Sequence, residues 1–528
     1  MMKRYTLLAM ATAFATGTIT AQNLVDAMRF SSVDLNGTAR YRSMAGAFGA
    51  LGGDPTCMSE NPAGLGIYRG TSVVTFTPSI NLTSTETSGF GVDKKKKSDN
   101  NFSVGNFSGV FSFKPEDSDY LVNFNLGVGF ERRQENFRKY TTQLNSPSSS
   151  LGNYLHEQAN NYLHDYHCMA SVLGTDGAWS SHAPLLTLMA YETYAIDDDP
   201  DDPYSVINPV AGLNANQAMR VDERNRQDEY NISASFNFND VFYLGATLKI
   251  SDFNSTIDTE FDELYPQSSS DALYYDNTLE TKGSGLGMNM GLLWRVTDSW
   301  RLGAAVHTPT WLEMKEYYYA YIETQFMNTD NQQDGAWCDY NDSWEYEFQT
   351  PWEYQFSTAY ILGTRALISL EWDLRDFTTM KYSLSNNYVG NSQYFKEINE
   401  AIKDRAKMQH TLKVGAEYRI NQGLSARLGY AYVTSPYEKK AMLSEVDSYD
   451  QYLLYSSSNK LNYSTLDDQQ YITAGLGWRG KRWSFDFAWV NHFTKEYVAA
   501  YPADYADSNI FDMKTYRSNF DLSFSYRF

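Results

Sequence analysis

The stretch Ser518-Asn519-Phe520-Asp521-Leu522-Ser523-Phe524-Ser525-Tyr526-Arg527-Phe528 alternates strictly, with Phe520, Leu522, Phe524, Tyr526 and Phe528 on one parity and polar side chains on the other. Successive side chains of a β-strand point to opposite faces, so this is a strand with one apolar and one polar face. The same two-residue period recurs along the chain. Residues 71–83 set Val74, Phe76, Pro78, Ile80 and Leu82 against Thr75, Thr77, Ser79 and Asn81. Residues 119–133 set Tyr120, Val122, Phe124, Leu126, Val128 and Phe130 against Asn123, Asn125, Gly127, Gly129 and Glu131. Further strands are predicted at 101–114, 228–238, 241–252, 284–295, 300–312, 352–362, 366–380, 409–420, 424–435, 468–479, 482–493 and 515–528, which makes fourteen.

The connections alternate too. Short turns at Pro115-Glu116-Asp117-Ser118, Asn239-Asp240, Thr297-Asp298-Ser299, Gly363-Thr364-Arg365, Asn421-Gln422-Gly423 and Gly480-Lys481 follow the even strands. Long segments, about 84–100, 134–227, 253–283, 313–351, 381–408, 436–467 and 494–514, follow the odd ones. A β-sandwich has no reason to sort its connections by parity. An outer-membrane barrel does: short turns lie on one side and long loops on the other, and a tilted strand crosses in about 9–11 residues. The expectation is an all-β fold, a 14-stranded antiparallel transmembrane β-barrel over 71–528, with the last strand closing the seam and removing the exposed edge.

Composition agrees with this picture. The chain has 528 residues, 15% of them aromatic, including 41 Tyr and 11 Trp, which suits interfacial aromatic girdles. Mean hydropathy is only -0.50, as expected when lipid-facing and lumen-facing residues average out. Outside the N-terminus no apolar run reaches the length of a spanning helix. Residues 1–21, with Lys3 and Arg4 ahead of an apolar run and small residues up to Ala21, read as a secretory signal peptide. Cys57, Cys168 and Cys338 are too few and too scattered for a disulfide framework, and allow one pair at most. A formal charge of -21 argues against nucleic acid as a partner. The acidic run Asp197-Asp198-Asp199-Pro200-Asp201-Asp202 reads as a solvated loop, since Pro200 interrupts any calcium-loop order of ligands.

Residues 22–70 do not alternate. They are rich in Gly and Ala, dense enough for close backbone contact, and fit a hatch or plug folded inside the lumen. The run "GTARYRSMAGAFGALGGDPTCMSENPAGLGIYRGTSVVTFTPSINLTS" resembles the N-terminal region of the FadL/TodX family of outer-membrane transporters. "RLGAAVHTPTW" at 301–311, "TPWEYQFSTAYILGTRALISLEWDLRDF" at 350–377 and "LKVGAEYRINQGLSARLGYAYVTSP" at 412–436 resemble its Bacteroidetes-type members. The resemblance implies a monomeric barrel in the outer membrane of a Gram-negative bacterium. It implies passive uptake of long-chain fatty acids or other hydrophobic small molecules, with no cofactor. The ligand would pass from a pocket beside the hatch through a lateral gap at an inward kink of the third strand, among the outer-membrane lipids. Asn61, Pro62 and Ala63 match the family's hatch tripeptide. Gly127 and Gly129, on the lumen face of the third predicted strand, are its kink candidates, or else make room for hatch atoms.

Residues 151–166 place Leu151, Leu155, Tyr162 and Leu163 at helical spacing, a helix over the barrel mouth. His156, His164, His167 and His182 lie close by with Cys168, and His164 and His167 form an i, i+3 pair able to face one metal or haem. Some proteins resembling this family are named hemin receptors, so a hemin receptor is the alternative ligand reading; a porin or an adhesin-type barrel are others. An enzyme is not expected. Gly283-Ser284-Gly285-Leu286-Gly287 sits at a strand start rather than on a strand-turn-helix elbow, and His307, His410 and His492 fall on different strands.

Overall fold

The computed structural model describes residues 23–89, 92–116, 118, 120–145, 150–174, 183–267, 271–327, 333–385, 392–442, 461–501 and 510–528. The signal-peptide residues 1–21 lie outside them. The described strands form one closed antiparallel barrel of fourteen. In order they are Val73–Gly89, Val92–Phe113, Leu121–Asn145, Asn216–Phe238, Phe242–Leu264, Ala272–Arg295, then three interrupted strands, then Met408–Arg419, Leu424–Val433, Tyr463–Arg479, Trp483–Ala499 and Ile510–Arg527. The seventh runs Trp300–His307 and Trp311–Met327, the eighth Gln333–Gln349 and Trp352–Leu362, the ninth Ala366–Asp376 and Lys381–Leu384. Pro309 and Pro351 account for two of the interruptions, since proline has no N–H for the ladder. The seam is a continuous register from Val73↔Arg527 to Ser88↔Asp512. Hydrogen bonding is thus completed within the protein, as a wall in lipid requires.

At the short turns the strands end within one or two residues of the expected positions. Asn239 and Asp240 both adopt positive φ, 52° and 59°, the two-residue hairpin geometry that matches strand twist. At the opposite end the expected strands are too short. Much of the segments 84–100, 253–283 and 313–351, and both ends of 134–227, are strand, not loop.

The reason is an exchange of faces in chemistry without an exchange in geometry. Along Phe242–Leu264 the inward residues are always the odd ones. Up to Ile250 the outward side chains are Phe242, Leu244, Ala246, Leu248 and Ile250, and the inward set is polar, with Thr247, Lys249 and Ser251. From Asp252 on, the outward side chains are Asp252, Asn254, Thr256, Asp258, Glu260 and Asp262, while Phe253, Ile257 and Phe261 are buried inside. The neighbouring strands change at the same register: Tyr230, Ile250, Leu286 and Trp311 are aligned, and beyond them the outward side chains of the fourth, fifth and sixth strands become polar. Below that line the outer face meets lipid; above it the outer face meets water and the inner face becomes a core.

That upper core is large. Leu24, Met28 and Phe30 of the helix Leu24–Ser31 pack against Phe253, Phe348 and Tyr382 from three walls, with Phe30 5.2 Å from Phe253 and 5.4 Å from Phe348, ring to ring. The expected helix is present as Leu151–Tyr166. Leu151, Leu155 and Leu163 are fully buried in the same cluster, together with Leu185, Leu188 and Met189 of the helix Leu185–Glu192. A cap of loop helices therefore sits on the apolar mouth.

Because lipid contact ends at Ile250, the two halves of one strand respond oppositely to charge. Ala246→Arg is expected to cost about 2–4 kcal/mol, whereas Asp258→Arg, outward but above the lipid, is expected to be near neutral. Reversible urea unfolding in lipid vesicles measures both.

Candidate functional site

The lower lumen, where the wall's inner face is polar, is filled by the N-terminal segment. Its backbone is held by wall side chains. The Ser523 hydroxyl accepts from the Ala39 N–H at 2.7 Å, and the Glu371 carboxylate accepts from the N–H groups of Phe48 and Gly49 at 3.1 and 2.6 Å. Arg42 meets Asp521 at 2.5 Å with both side chains buried. Lys413 pairs with Glu371 at 2.8 Å and Asp373 at 2.6 Å. Buried charges persist only when paired and hydrogen-bonded, and here segment and wall supply one another's partners.

Asn61, Pro62 and Ala63 lie at the tightest contact. Asn61 caps the 3-10 turn Pro62–Ile67, its side-chain oxygen accepting from the Ala63 N–H at 3.2 Å. Its amide donates to the Gly49 carbonyl at 2.8 Å and to the Leu292 carbonyl of the sixth strand at 3.1 Å. One side chain thus joins two parts of the segment to the wall. Two wall glycines make the fit possible: a Cβ on Gly245 would lie 2.3 Å from Pro62, and one on Gly291 2.0 Å from the Asn61 oxygen. No sequence pattern singled out these two wall glycines.

The third strand departs from its neighbour. Leu121–Asn145 pairs with the second strand only from Phe124↔Phe113 to Glu131↔Asn106. Beyond that, Val92 and Lys95–Val104 of the second strand pair with the first strand alone. The third strand continues to Asn145 against the fourth alone. Its register against the fourth slips between Arg132 and Gln134. Such a bulge inserts one residue and reverses which parity faces in. Asn123, Asn125 and Glu131 are buried before it; Arg138, Tyr140, Thr142 and Leu144 after it. The upper strand leans into the lumen, behind the second strand. Asn81 of the first strand reaches Glu135 at 2.5 Å, and the Thr87 hydroxyl reaches the Thr141 carbonyl at 2.5 Å. Arg138 bridges Glu223, at 2.6 Å, and Glu496 of the thirteenth strand. Gly127 and Gly129 are below the separation, within the paired stretch. A Cβ on either would meet Met58 of the N-terminal segment, at 2.7 and 2.8 Å.

The segment and the bent strand touch directly. Ser59 donates to Glu131 at 2.8 Å, Glu60 pairs with Arg133 at 2.7 Å, and Asp34 accepts from the Glu135 N–H at 3.0 Å and pairs with Arg517 at 2.8 Å. Arg133 is the extra residue of the bulge, so the bulge is secured to the residue that precedes Asn61. Above these ion pairs is a cavity of about 180 Å³. Val25, Met28, Phe377, Val433 and Leu466 line it together with the paired charges. It thus lies where the apolar upper core meets the polar lower lumen.

The histidines do not converge. His164 is 86% exposed, its ring 6.1 Å from that of His167, and its nearest carboxylate is Asp165 at 3.6 Å. His167 is the left-handed residue that ends the helix. His156 is half buried, which lowers its pKa, and lies 3.0 Å from the Asn160 amide. His182 lies outside the described residues. Among the described residues no group of three side chains could hold a metal. Among the described residues no disulfide joins any two of Cys57, Cys168 and Cys338.

Asn61→Ala removes three hydrogen bonds in a place water does not reach. We expect the barrel to stay folded, the N-terminal segment to loosen by about 1–3 kcal/mol, and steady ion leakage to rise in planar bilayers.

No protein-family model matches the chain, and no curated protein sequence is significantly similar to it. Solved structures are similar. A FadL homologue of Pseudomonas aeruginosa superposes with a TM-score of 0.54 at 12% identity, covering 94% of this chain and 99% of that one. The toluene transporter TodX of P. putida superposes with a TM-score of 0.52 at 13% identity, with the same coverage. Fourteen strands, a closed seam and near-complete coverage give this chain the fold of the FadL/TodX outer-membrane barrels.

Proposed function

We propose that the protein is a passive importer of hydrophobic small molecules that delivers its cargo sideways, through the wall between the second and third strands. The separation beyond Glu131 and Asn106 carries this reading. A wall in lipid normally closes every strand to its neighbour. Here one pair is parted in a barrel whose lower lumen is occupied by Asn36 to Ile67, which favours a lateral route over a straight aqueous one. On the second strand Phe102 is 70% exposed beside the open stretch, an apolar surface for a molecule leaving toward the bilayer. That the solved relatives include a toluene transporter supports cargo of this class.

The entry side fits the same chemistry. The mouth is an apolar core built on the helix Leu24–Ser31, and the cavity below it is amphipathic. At about 180 Å³ it compares with an engineered cavity of about 150 Å³ that takes up benzene. That volume is of the order a single aromatic ring needs. A long-chain fatty acid, the larger cargo of this class, requires Leu24–Ser31 to move aside. Cargo moves down its own gradient, and the Glu60–Arg133 pair links displacement of the N-terminal segment to the bend of the third strand.

Deleting Arg133 removes the extra residue of the bulge and restores one alternation along the third strand. The wall should then close against the second strand. Uptake of labelled oleate and of labelled toluene by cells producing this variant is expected to fall to the level of cells without the barrel, while heat-modifiable gel migration shows the variant folded. Undiminished uptake by a folded variant would assign transport to a route through the lumen instead.

A further inference from the structure

Above the lipid edge the outer wall is polar on the fourth and fifth strands, yet aromatic on the seventh. Tyr317, Tyr319 and Tyr321 are successive outward residues of Trp311–Met327, on the parity of the lipid-facing Trp311 and opposite to the buried Met314, Tyr318 and Ile322. Tyr317 and Tyr319 are 40% and 42% exposed. Trp337 of the eighth strand, 61% exposed, continues the column upward. It stands opposite Glu323, with its ring 6.4 Å from that of Tyr321 and inclined to it by 25°. Directly opposite residues of paired strands share a face, so each tyrosine is flanked by outward polar side chains. Tyr317 lies between Glu280 and Ser343, Tyr319 between Thr278 and Asn341, and Tyr321 between Asp276 and Asp339.

An interfacial girdle accounts for Trp311, at the lipid edge, but not for the column above it. At ~3.3 Å per residue and a tilt of ~40°, Lys315 stands about 10 Å above Trp311, and Tyr317 to Tyr321 about 15–25 Å above it. That height is beyond a phospholipid headgroup. A contiguous aromatic surface rimmed by polar groups at that level marks a contact.

Between the lipid edge and the column stands a pair of cations. Lys282 of the sixth strand and Lys315 of the seventh are outward and directly opposite one another. Their ammonium groups lie 5.6 and 5.2 Å from the centre of the Tyr317 ring. Each also meets an exposed carboxylate, Lys282 that of Glu280 at 2.6 Å and Lys315 that of Glu345 at 3.1 Å. Surface pairs of this kind are weak and yield to a better anion. Like charges directly opposite across two strands repel, and an anionic group between them relieves the repulsion. The row below, next to the lipid edge, carries Asp252, Ser284, Glu313 and Glu347.

We propose that this outward column is a docking surface for the saccharide head of an acidic glycolipid of the lipopolysaccharide type, whose acyl chains lie in the leaflet facing the long loops. The order of chemistry along the seventh strand matches the order along such a molecule. Trp311 and Leu286 meet its acyl region. The acidic row shares the divalent cations that bridge its phosphates. Lys282 and Lys315 receive an anionic group of the inner sugars. Above them, the C–H faces of sugar rings stack on Tyr317, Tyr319, Tyr321 and Trp337, while Asn341 and Ser343 hydrogen-bond to the hydroxyl groups. Continuity of the column with the lipid-facing Trp311 favours a membrane-anchored glycan over a free one, and its height favours a glycolipid over a phospholipid. The surface is independent of the lateral-exit reading, being four strands from the third.

The test uses the full chain, delipidated, in dodecyl maltoside micelles with magnesium present. Fluorescence anisotropy follows the binding of dye-labelled rough lipopolysaccharide and, separately, of dye-labelled lipid A, which lacks the core sugars. The expected result is half-saturation by the lipopolysaccharide at a concentration lower by about fivefold or more than by lipid A. Tyr317→Thr/Tyr319→Thr/Tyr321→Thr should abolish the difference and leave lipid A binding unchanged. Lys282→Gln/Lys315→Gln should weaken lipopolysaccharide binding by about tenfold. Threonine keeps the strand preference, and heat-modifiable migration verifies that both variants fold. Equal half-saturation by the two lipids, or a preference that survives the tyrosine substitutions, would overturn the proposal and leave a protein partner as the reading. Displacement by the deacylated core oligosaccharide as effectively as by the intact glycolipid would overturn it in favour of a soluble-glycan site. Displacement by phosphatidylglycerol as effectively as by lipopolysaccharide would overturn it in favour of anionic lipid of any kind.

Discussion

Every backbone N–H and C=O within lipid must find a partner in the protein, and the rest of this structure depends on that constraint. It requires the seam from Val73↔Arg527 upward to close. It also makes the parting of the second and third strands informative, because leaving two strand edges unpaired in hydrocarbon would be costly. The protein manages this by drawing the third strand inward, where the lumen is polar. There Asn81 and Thr87 of the first strand hydrogen-bond to it, and its own Arg138 pairs with Glu223 of the fourth strand and Glu496 of the thirteenth. The opening is possible because the interior, not the lipid, takes over the partners of the displaced strand.

The same polar interior explains how a segment dense in Gly and Ala can fill the lower lumen. Small residues allow backbone to approach wall, as Pro62 does at Gly245, and the backbone groups so exposed are then bonded by wall side chains such as Glu371 and Ser523. Charge pairs complete the contact. Glu60, Arg133, Asp34 and Arg517 form a line from the N-terminal segment through the bulge to the last strand. Segment, bulge and seam are thereby mechanically joined, although they are far apart in the chain.

Much of this was legible in the sequence where lipid was the solvent. Phe242 to Ile250 alternates because one face must be apolar, and fourteen such stretches with sorted connections gave the barrel. Above Asp252 the strand continues but its apolar residues, Phe253, Ile257 and Phe261, change to the inner face and are spaced among acids and threonines, so the stretch reads as a polar loop. The tripeptide Asn61-Pro62-Ala63 was visible as a motif, and its role as a clamp on Leu292, Gly245 and Gly291 was not, because those partners are some two hundred residues away. Gly127 and Gly129 read either as a bend or as room for atoms of the N-terminal segment, and a Cβ on either would meet Met58. The bulge is instead at Arg133, where an ion pair to Glu60, rather than missing side chains, fixes it.

The water-facing upper wall also sets how far from the bilayer the mouth stands. From Ser284 to Ala272 the sixth strand continues past its last lipid-facing residue. At ~3.3 Å per residue and a tilt of ~40° this is a rise of about 30 Å. The barrel is therefore a chimney rather than a hole in a surface. Its rim, and the helix Leu151–Tyr166 that caps it, stand well clear of the lipid headgroups.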